Sequence, residues 1–161
     1  MSGAKHGPNR LSKYLDIHNT VMQQFIDEGF VLADELILSD LGDGQFLLEG
    51  CIRCQAQLRI DVSKRLSIAG HRNGELLVQT TGYSYSAILG GHGSVFRYDS
   101  PHADHNQYHH VHRYGILDGD VHGIVSPVPT DDWPTLGQVM RELSDWYHAN
   151  ITRVRAIPPV S

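Results

Sequence analysis

The chain has 161 residues, 40% of them hydrophobic, which is typical of one globular domain with one core. Its formal net charge of −5 excludes a protein that coats nucleic acid non-specifically, because neutralising phosphates requires an excess of Lys and Arg. No apolar run approaches the roughly 18 residues of a membrane span, and the opening residues lack an apolar secretory segment, so we expect a cytoplasmic protein without a membrane partner.

The amino-terminal part of the chain predicts a short lead-in followed by one helix. Residues 1–9 have no periodic apolar pattern, and we expect them to be a disordered lead-in. From Leu11 onward, apolar residues recur at steps of three and four until Gly29. This period predicts an amphipathic helix of about four to five turns.

After Gly29 the apolar period changes to two, which predicts a series of strands. The expected strands cover residues 30–39, 45–54, 57–62, 66–69, 75–85 and 95–98. Glycine-containing turns at 41–44 and 72–74 are hairpin signals, the second because Asn73-Gly74 favours a tight turn. Such short connections predict an antiparallel meander.

The carboxyl-terminal part predicts a long irregular segment and then a second helix. Residues 98–133 show no clear period, and a stretch of this length inside a domain is often functional. Thr135 with Gln138 three residues later predicts a capping box at the start of an amphipathic helix. We therefore predict the α+β class: an antiparallel β-sheet meander with an N-terminal and a C-terminal helix packed on one face. The single domain would cover residues 10–150, and residues 151–161 would be a flexible tail.

A basic segment lies between Cys51 and Arg72, where five Lys and Arg residues stand against the single acid Asp61. The five are Arg53, Arg59, Lys64, Arg65 and Arg72. One interpretation is a sheet face that holds a phosphate backbone, and the other is a set of solvated strand and turn residues.

The two cysteines, Cys51 and Cys54, form one C-x-x-C without a second pair to complete a zinc site. Positions three apart on a strand face opposite ways, which favours ordinary thiols over redox or metal chemistry.

The densest chemical signal is a histidine segment, in which five of the eleven histidines fall between His102 and His112. The other three are His105, His109 and His110. Histidine is the side chain whose unperturbed pKa, about 6.5, suits proton transfer near neutral pH. On an extended strand, His110 and His112 would face the same way and Arg113 the opposite way.

Two such imidazoles can act as an acid–base pair on RNA. One would take the proton of a ribose 2′-hydroxyl and the other would protonate the leaving 5′-oxygen, while a nearby Arg stabilises charge on phosphorus. This chemistry requires no metal and no cofactor. The alternative is a metal site formed by His110 and His112, with His102 or His105 as third ligand, and a third reading is a solvated polar loop.

Residues before the histidines could support either chemistry. Tyr98 is either a packed strand-end aromatic or a proton relay or base-stacking surface. Asp99 could orient an imidazole by accepting its Nδ1 hydrogen, and Asp104 is an equal candidate.

These motifs resemble the TumE-like toxins of bacterial type II toxin–antitoxin systems. The resemblance covers about two thirds of the chain, and Ser100 stands where the family often has Asn. The matching residues are Phe96-Arg97-Tyr98-Asp99, His102 and His105, His109-His110-Val111-His112, and Pro134-Thr135-Leu136. The resemblance implies a toxin that acts on RNA or on the translation machinery and is neutralised by a cognate antitoxin protein.

The motifs and the resemblance together predict a metal-independent RNA endonuclease. His110 and His112 would be the acid–base pair, with Arg97 or Arg113 on the phosphate. Tyr98 and Asp99 would support them. Further catalytic candidates are His102, His105 and His109, and the RNA-contacting candidates besides Arg113 are Arg53, Arg59, Lys64 and Arg65. The alternatives are a histidine-liganded metal enzyme and a non-catalytic binding module. The sequence is also compatible with a homodimer.

Overall fold

The computed structural model describes residues 5–101 and 108–159, which form nine strands and three α-helices. In chain order the elements are β1 (Asn9–Arg10), α1 (Leu11–Asp27), β2 (Val31–Asp34), β3 (Ile37–Gly42), β4 (Gln45–Cys54), β5 (Leu58–Arg72), β6 (Glu75–Leu89), β7 (Gly93–Asp99), β8 (His110–Arg113), β9 (Ile124–Pro127), α2 (Leu136–Ala149) and α3 (Ile151–Arg155). Helices α1 and α2 cover one face of the sheet, so the predicted fold class is confirmed.

The nine strands form a single antiparallel sheet in the order β2-β4-β5-β6-β7-β8-β9. Strand β3 pairs with β4 beside β2, and the short β1 pairs with β6 beside β7. Sequential strands are therefore neighbours along most of the sheet, as expected when short hairpin turns connect them.

The centre of the sheet is the long β5–β6 hairpin, whose turn contains Asn73 at φ 51° and Gly74 at φ 80°. Residues with such positive φ at both central positions form the tight turn whose twist matches that of two paired strands. The sequence predicted two strands, at 57–62 and 66–69, where the structure has only β5. A register shift between Arg65 and Leu66 lets the pairing with β6 continue across this polar break.

The helices supply the other half of the core. Met22 and Phe25 of α1 are buried against the sheet. Helix α2 buries one stripe at helical spacing, which consists of Leu136, Val139, Met140, Leu143 and Tyr147. No helix in the described ranges is long and apolar enough to cross a membrane.

The predicted capping box at the start of α2 is present. Thr135 Oγ1 accepts a hydrogen bond from the Gln138 backbone N–H at 3.2 Å, and Gln138 Oε1 accepts one from the Thr135 N–H at 3.0 Å. We expect Thr135→Ala to lower the free energy of unfolding by about 1 kcal/mol, because one helix-terminal N–H loses its acceptor. Urea denaturation would measure this, and a Thr152→Ala variant, which removes a hydroxyl from α3 instead, should change stability less.

Residue 9 and residues 151–155 form regular secondary structure where the sequence predicted a lead-in and a tail. Asn9 pairs with Val78 in the sheet, so residue 9 does not belong to a lead-in, and residues 1–4 lie outside the described part. Residues 151–155, predicted as tail, form α3 because Val154 is buried in the core. Strands β8 and β9 lie in the segment without apolar period, where partners distant in the sequence determine the structure.

Candidate functional site

The candidate site is formed on the helix-free face of the sheet by the end of β7 and the start of β8. Side chains alternate between the two faces of a strand, so Arg97 and Asp99 share one face and so do His110 and His112. The register pairs Asp99 with His110 and Arg97 with His112. The four side chains are thereby brought into one cluster.

The carboxylate of Asp99 is the centre of this cluster. Its Oδ2 lies 3.5 Å from His110 Nε2 and 3.8 Å from His112 Nε2. Arg97 Nε donates to the same carboxylate, at 3.0 Å from Oδ1 and 2.9 Å from Oδ2. The centroids of the two imidazole rings are 5.1 Å apart and their planes are inclined by 74°. One carboxylate thus contacts one guanidinium and lies between two imidazoles.

Two side chains of the cluster are buried and two are partly exposed. The side chains of Asp99 and His110 are each only 2% exposed, whereas those of His112 and Arg97 are 25% and 45% exposed. The ring of His112 also stacks on Tyr114, with a centroid separation of 6.3 Å. A ligand on this face would therefore meet His112 and Arg97 first, with Asp99 and His110 beneath them.

Both ring nitrogens of His110 face hydrogen-bond acceptors. Its Nδ1 lies 3.1 Å from the backbone oxygen of Tyr108, and because a carbonyl only accepts, Nδ1 must donate in that bond. On the other side Nε2 faces the Asp99 carboxylate. This position suits either a doubly protonated ring that donates to both acceptors, or a ring whose Nε2 lone pair binds a cation.

The second of these possibilities has a geometric basis. One ligand atom each from Asp99, His110 and His112 lies within 4.8 Å of the others. Two imidazoles and one carboxylate are a ligand set that divalent transition metals use in proteins. The metal alternative drawn from the sequence used His102 or His105 in place of Asp99.

Tyr98 and Arg113 lie on the opposite face, against α2. The Tyr98 hydroxyl donates to Glu142 Oε1 at 2.6 Å, and Arg113 Nη2 donates to the Tyr98 oxygen at 2.9 Å. Burial, followed by the contact with Glu142, raises the pKa of Tyr98 above its usual value. The structure does not bring these two residues to the histidine pair.

His109 also lies on the helix side. It is hydrogen-bonded through Nδ1 to the Tyr83 hydroxyl at 2.8 Å and stacks on Trp133 at 5.3 Å. Desolvation, followed by the nearby His110, lowers the pKa of His109. The remaining candidates His102 and His105, together with Asp104, lie outside the described residues.

Three of the basic residues share the helix-free face with the cluster. Arg53 forms an ion pair with Glu35, and Arg59 Nε donates to Asp61 at 3.1 Å, while Arg65 is exposed. Acidic partners therefore interrupt this basic surface. Lys64 faces the helices instead, with its Nζ 4.7 Å from the ring centroid of Tyr14.

The two cysteines also face opposite ways, as the alternation predicts. Cys51 is on the helix-free face, half-buried, and Cys54 is buried in the core. Burial raises the pKa of both thiols, to about 12 for Cys54. Both are therefore protonated at neutral pH, which disfavours redox chemistry because the reactive form is the thiolate.

Sequence reasoning missed Glu142, which binds Tyr98 across 44 residues of chain. It also missed the backbone oxygen of Tyr108 that holds His110. The contact of Glu142 depends on tertiary packing, and that of Tyr108 depends on the backbone conformation just before β8. Neither has a signal in the sequence.

Comparison of the chain with protein-family models, with curated proteins and with solved structures found no match. The resemblance to TumE-like toxins stays a prediction that depends on the motifs named above.

Proposed function

We propose that the protein is the toxin of a bacterial toxin–antitoxin pair and cleaves RNA in the cytoplasm with the Arg97–Asp99–His110–His112 cluster. The observation that carries this proposal is the buried Asp99 carboxylate between two imidazoles on a face that no described helix covers. A pair of imidazoles, one accessible and one held between acceptors, suits paired acid and base catalysis.

The accessibility of the two rings suggests which is the base. His112 is the more exposed imidazole, and it would take the proton from a ribose 2′-hydroxyl. The 2′-oxygen then attacks phosphorus, and the bond from phosphorus to the 5′-oxygen breaks. His110, whose Nδ1 donates to Tyr108 and whose Nε2 faces Asp99, would in its protonated form supply the proton for that leaving oxygen, directly or through one water. The products are a 2′,3′-cyclic phosphate and a 5′-hydroxyl.

Arg97 would hold the phosphate during this step. Its Nε is used by Asp99, while its side chain remains 45% exposed. A guanidinium has five N–H donors, so its outer nitrogens can still contact a phosphate oxygen. Asp99 fixes the direction of that guanidinium, which places positive charge beside His112.

A divalent-metal enzyme is the second candidate, because Asp99, His110 and His112 present three ligand atoms within 4.8 Å. The ion pair with Arg97 counts against it, since Nε contacts both carboxylate oxygens that a metal would need. A metal analysis of the purified protein and cleavage assays with and without EDTA separate the two candidates.

Purified protein is expected to cleave single-stranded RNA in the presence of EDTA and to leave the same RNA intact when its riboses are 2′-O-methylated. The methylated RNA lacks the attacking hydroxyl, while its phosphates and bases are unchanged. End-labelled RNA on a denaturing gel measures both reactions. Cleavage of the methylated RNA, or cleavage that EDTA stops and Mn²⁺ or Zn²⁺ restores, would contradict the metal-independent mechanism and support the metal-dependent one.

A further inference from the structure

A cavity of about 310 Å³ lies on the helix side of the sheet, away from the candidate site. It is enclosed by the described part of the amino-terminal lead-in, by α1, by β5 and β6, and by the residues that begin α2. Its volume falls at the lower end of the range of about 300–1,000 Å³ typical of small-molecule sites.

One wall of the cavity carries the ammonium group of Lys64. The Nζ atom lies over the ring of Tyr14, 4.7 Å from its centroid, and the residue is half-buried. Desolvation lowers the pKa of Lys64 to about 8, because burial penalises the charged ammonium group. Within residues 5–101 and 108–159, no carboxylate forms an ion pair with it.

The other titratable groups that line the cavity do not compensate this charge. The lead-in contributes Lys5 and His6, and α1 contributes His18 and Tyr14. Lys5 has its own partner in Asp132 at 3.8 Å, and His18 has one in Asp34 at 2.8 Å. The described lining contains no Asp or Glu. Its ionisable groups are therefore basic residues and Tyr14, whose raised pKa keeps its hydroxyl neutral at physiological pH.

Much of the remaining wall is apolar. Aliphatic side chains come from α1, from β6 and from the first residue of α2, and they are Ile17, Val21, Met22, Val78 and Leu136. Trp133 adds an aromatic edge, stacked on His6 at 3.3 Å. A ligand here would bury an apolar body and place a single charge at Lys64.

We propose that this cavity binds a small organic monocarboxylate, with its acid group on Lys64 and its apolar body against α1 and Val78. The volume, the uncompensated ammonium group and the apolar walls each support that chemical class, and none of them depends on the RNA-cleaving activity. A dicarboxylate would leave its second charge against aliphatic side chains, and a neutral molecule would leave Lys64 without a counter-charge.

Calorimetric titration with benzoate and hexanoate tests the proposal, with benzyl alcohol and hexanol as neutral analogues and inorganic phosphate as an anion without an apolar body. We expect at least one carboxylate to bind the full chain measurably at millimolar concentration. Its neutral analogue should bind more weakly by about tenfold or more, as the loss of one charged hydrogen bond predicts. Phosphate should also bind more weakly, because it has no apolar body to bury against the cavity wall.

Lys64→Met is the matched variant because it keeps most of the length and the unbranched apolar stem of the side chain and removes the charge. Its carboxylate affinity should fall by about tenfold or more, whereas Arg72→Met, at an exposed position of β5, should leave affinity unchanged. Circular dichroism would confirm that both variants are folded, and Lys64→Arg keeps the charge if the Met variant does not fold. Equal affinity for acid and alcohol, no binding of either carboxylate, or undiminished binding by a folded Lys64→Met would each overturn the proposal.

Discussion

Replacing His112 with alanine is expected to abolish the growth arrest that the wild-type chain causes and to slow RNA cleavage by about 10²–10⁴-fold. His112 is the imidazole of the cluster that solvent reaches, with a 25% exposed side chain, so it is the group that can accept the ribose proton. Expression from a tightly controlled promoter, with growth and total cellular RNA followed together, measures both effects. His110→Ala should have the same direction of effect, because it removes the proposed proton donor.

The control for this experiment is His71→Ala, which removes an exposed imidazole from the far end of β5. It should leave both growth arrest and cleavage unchanged. A His110→Ala/His112→Ala double variant should cleave RNA only slightly more slowly than the slower of the two single variants. The effects of residues that act as a unit are not additive. Full toxicity in a folded double variant would refute the catalytic role of the pair.

The alternation of strand side chains explains which parts of the site could be predicted from the sequence. The i, i+2 spacing of His110 and His112 placed both rings on one face, and the same rule places Arg97 with Asp99. Applied to Tyr98, the rule would have excluded this residue from the cluster, because it lies between two residues that face the site. It would likewise have separated Lys64 from Arg65, its neighbour in the basic segment.

The remaining features required tertiary information. Strands β8 and β9 are four residues each, too short for an apolar period. Strand β8 forms because β7 presents an edge to pair with, and β9 pairs in turn with β8. The pairing of Asp99 with His110 joins residues on two different strands, so their register has no signature in either strand alone. The sequence therefore predicted the residues of the site, Asp99 among them, and the face they share, but not that this carboxylate lies between the Nε2 atoms of both imidazoles rather than at Nδ1 of one.

Asp99→Asn is expected to lower the free energy of unfolding by about 3 kcal/mol, at the lower end of the values for removing one partner of a buried ion pair, because Asp99 is buried but its partner Arg97 is half-exposed. The substitution keeps the shape of the side chain, but it removes the negative charge that compensates Arg97 and faces two imidazoles. Asp99 is 2% exposed, so water cannot take its place beside the two imidazoles, although it reaches the guanidinium of Arg97, which is 45% exposed. Urea denaturation at neutral pH measures the effect.

The matched control is Asp61→Asn, which breaks an ion pair with Arg59 on the same sheet face, where the Asp61 side chain is 45% exposed. Exposed pairs of this kind contribute about 0–1 kcal/mol, so the two Asp-to-Asn changes should differ by about 2 kcal/mol or more. In an Arg97→Gln background the cost of Asp99→Asn should shrink, because the guanidinium that needs the charge is gone. Equal costs at positions 99 and 61 would mean that the Asp99 carboxylate does not organise the cluster, and the acid–base assignment built on it would fail with it.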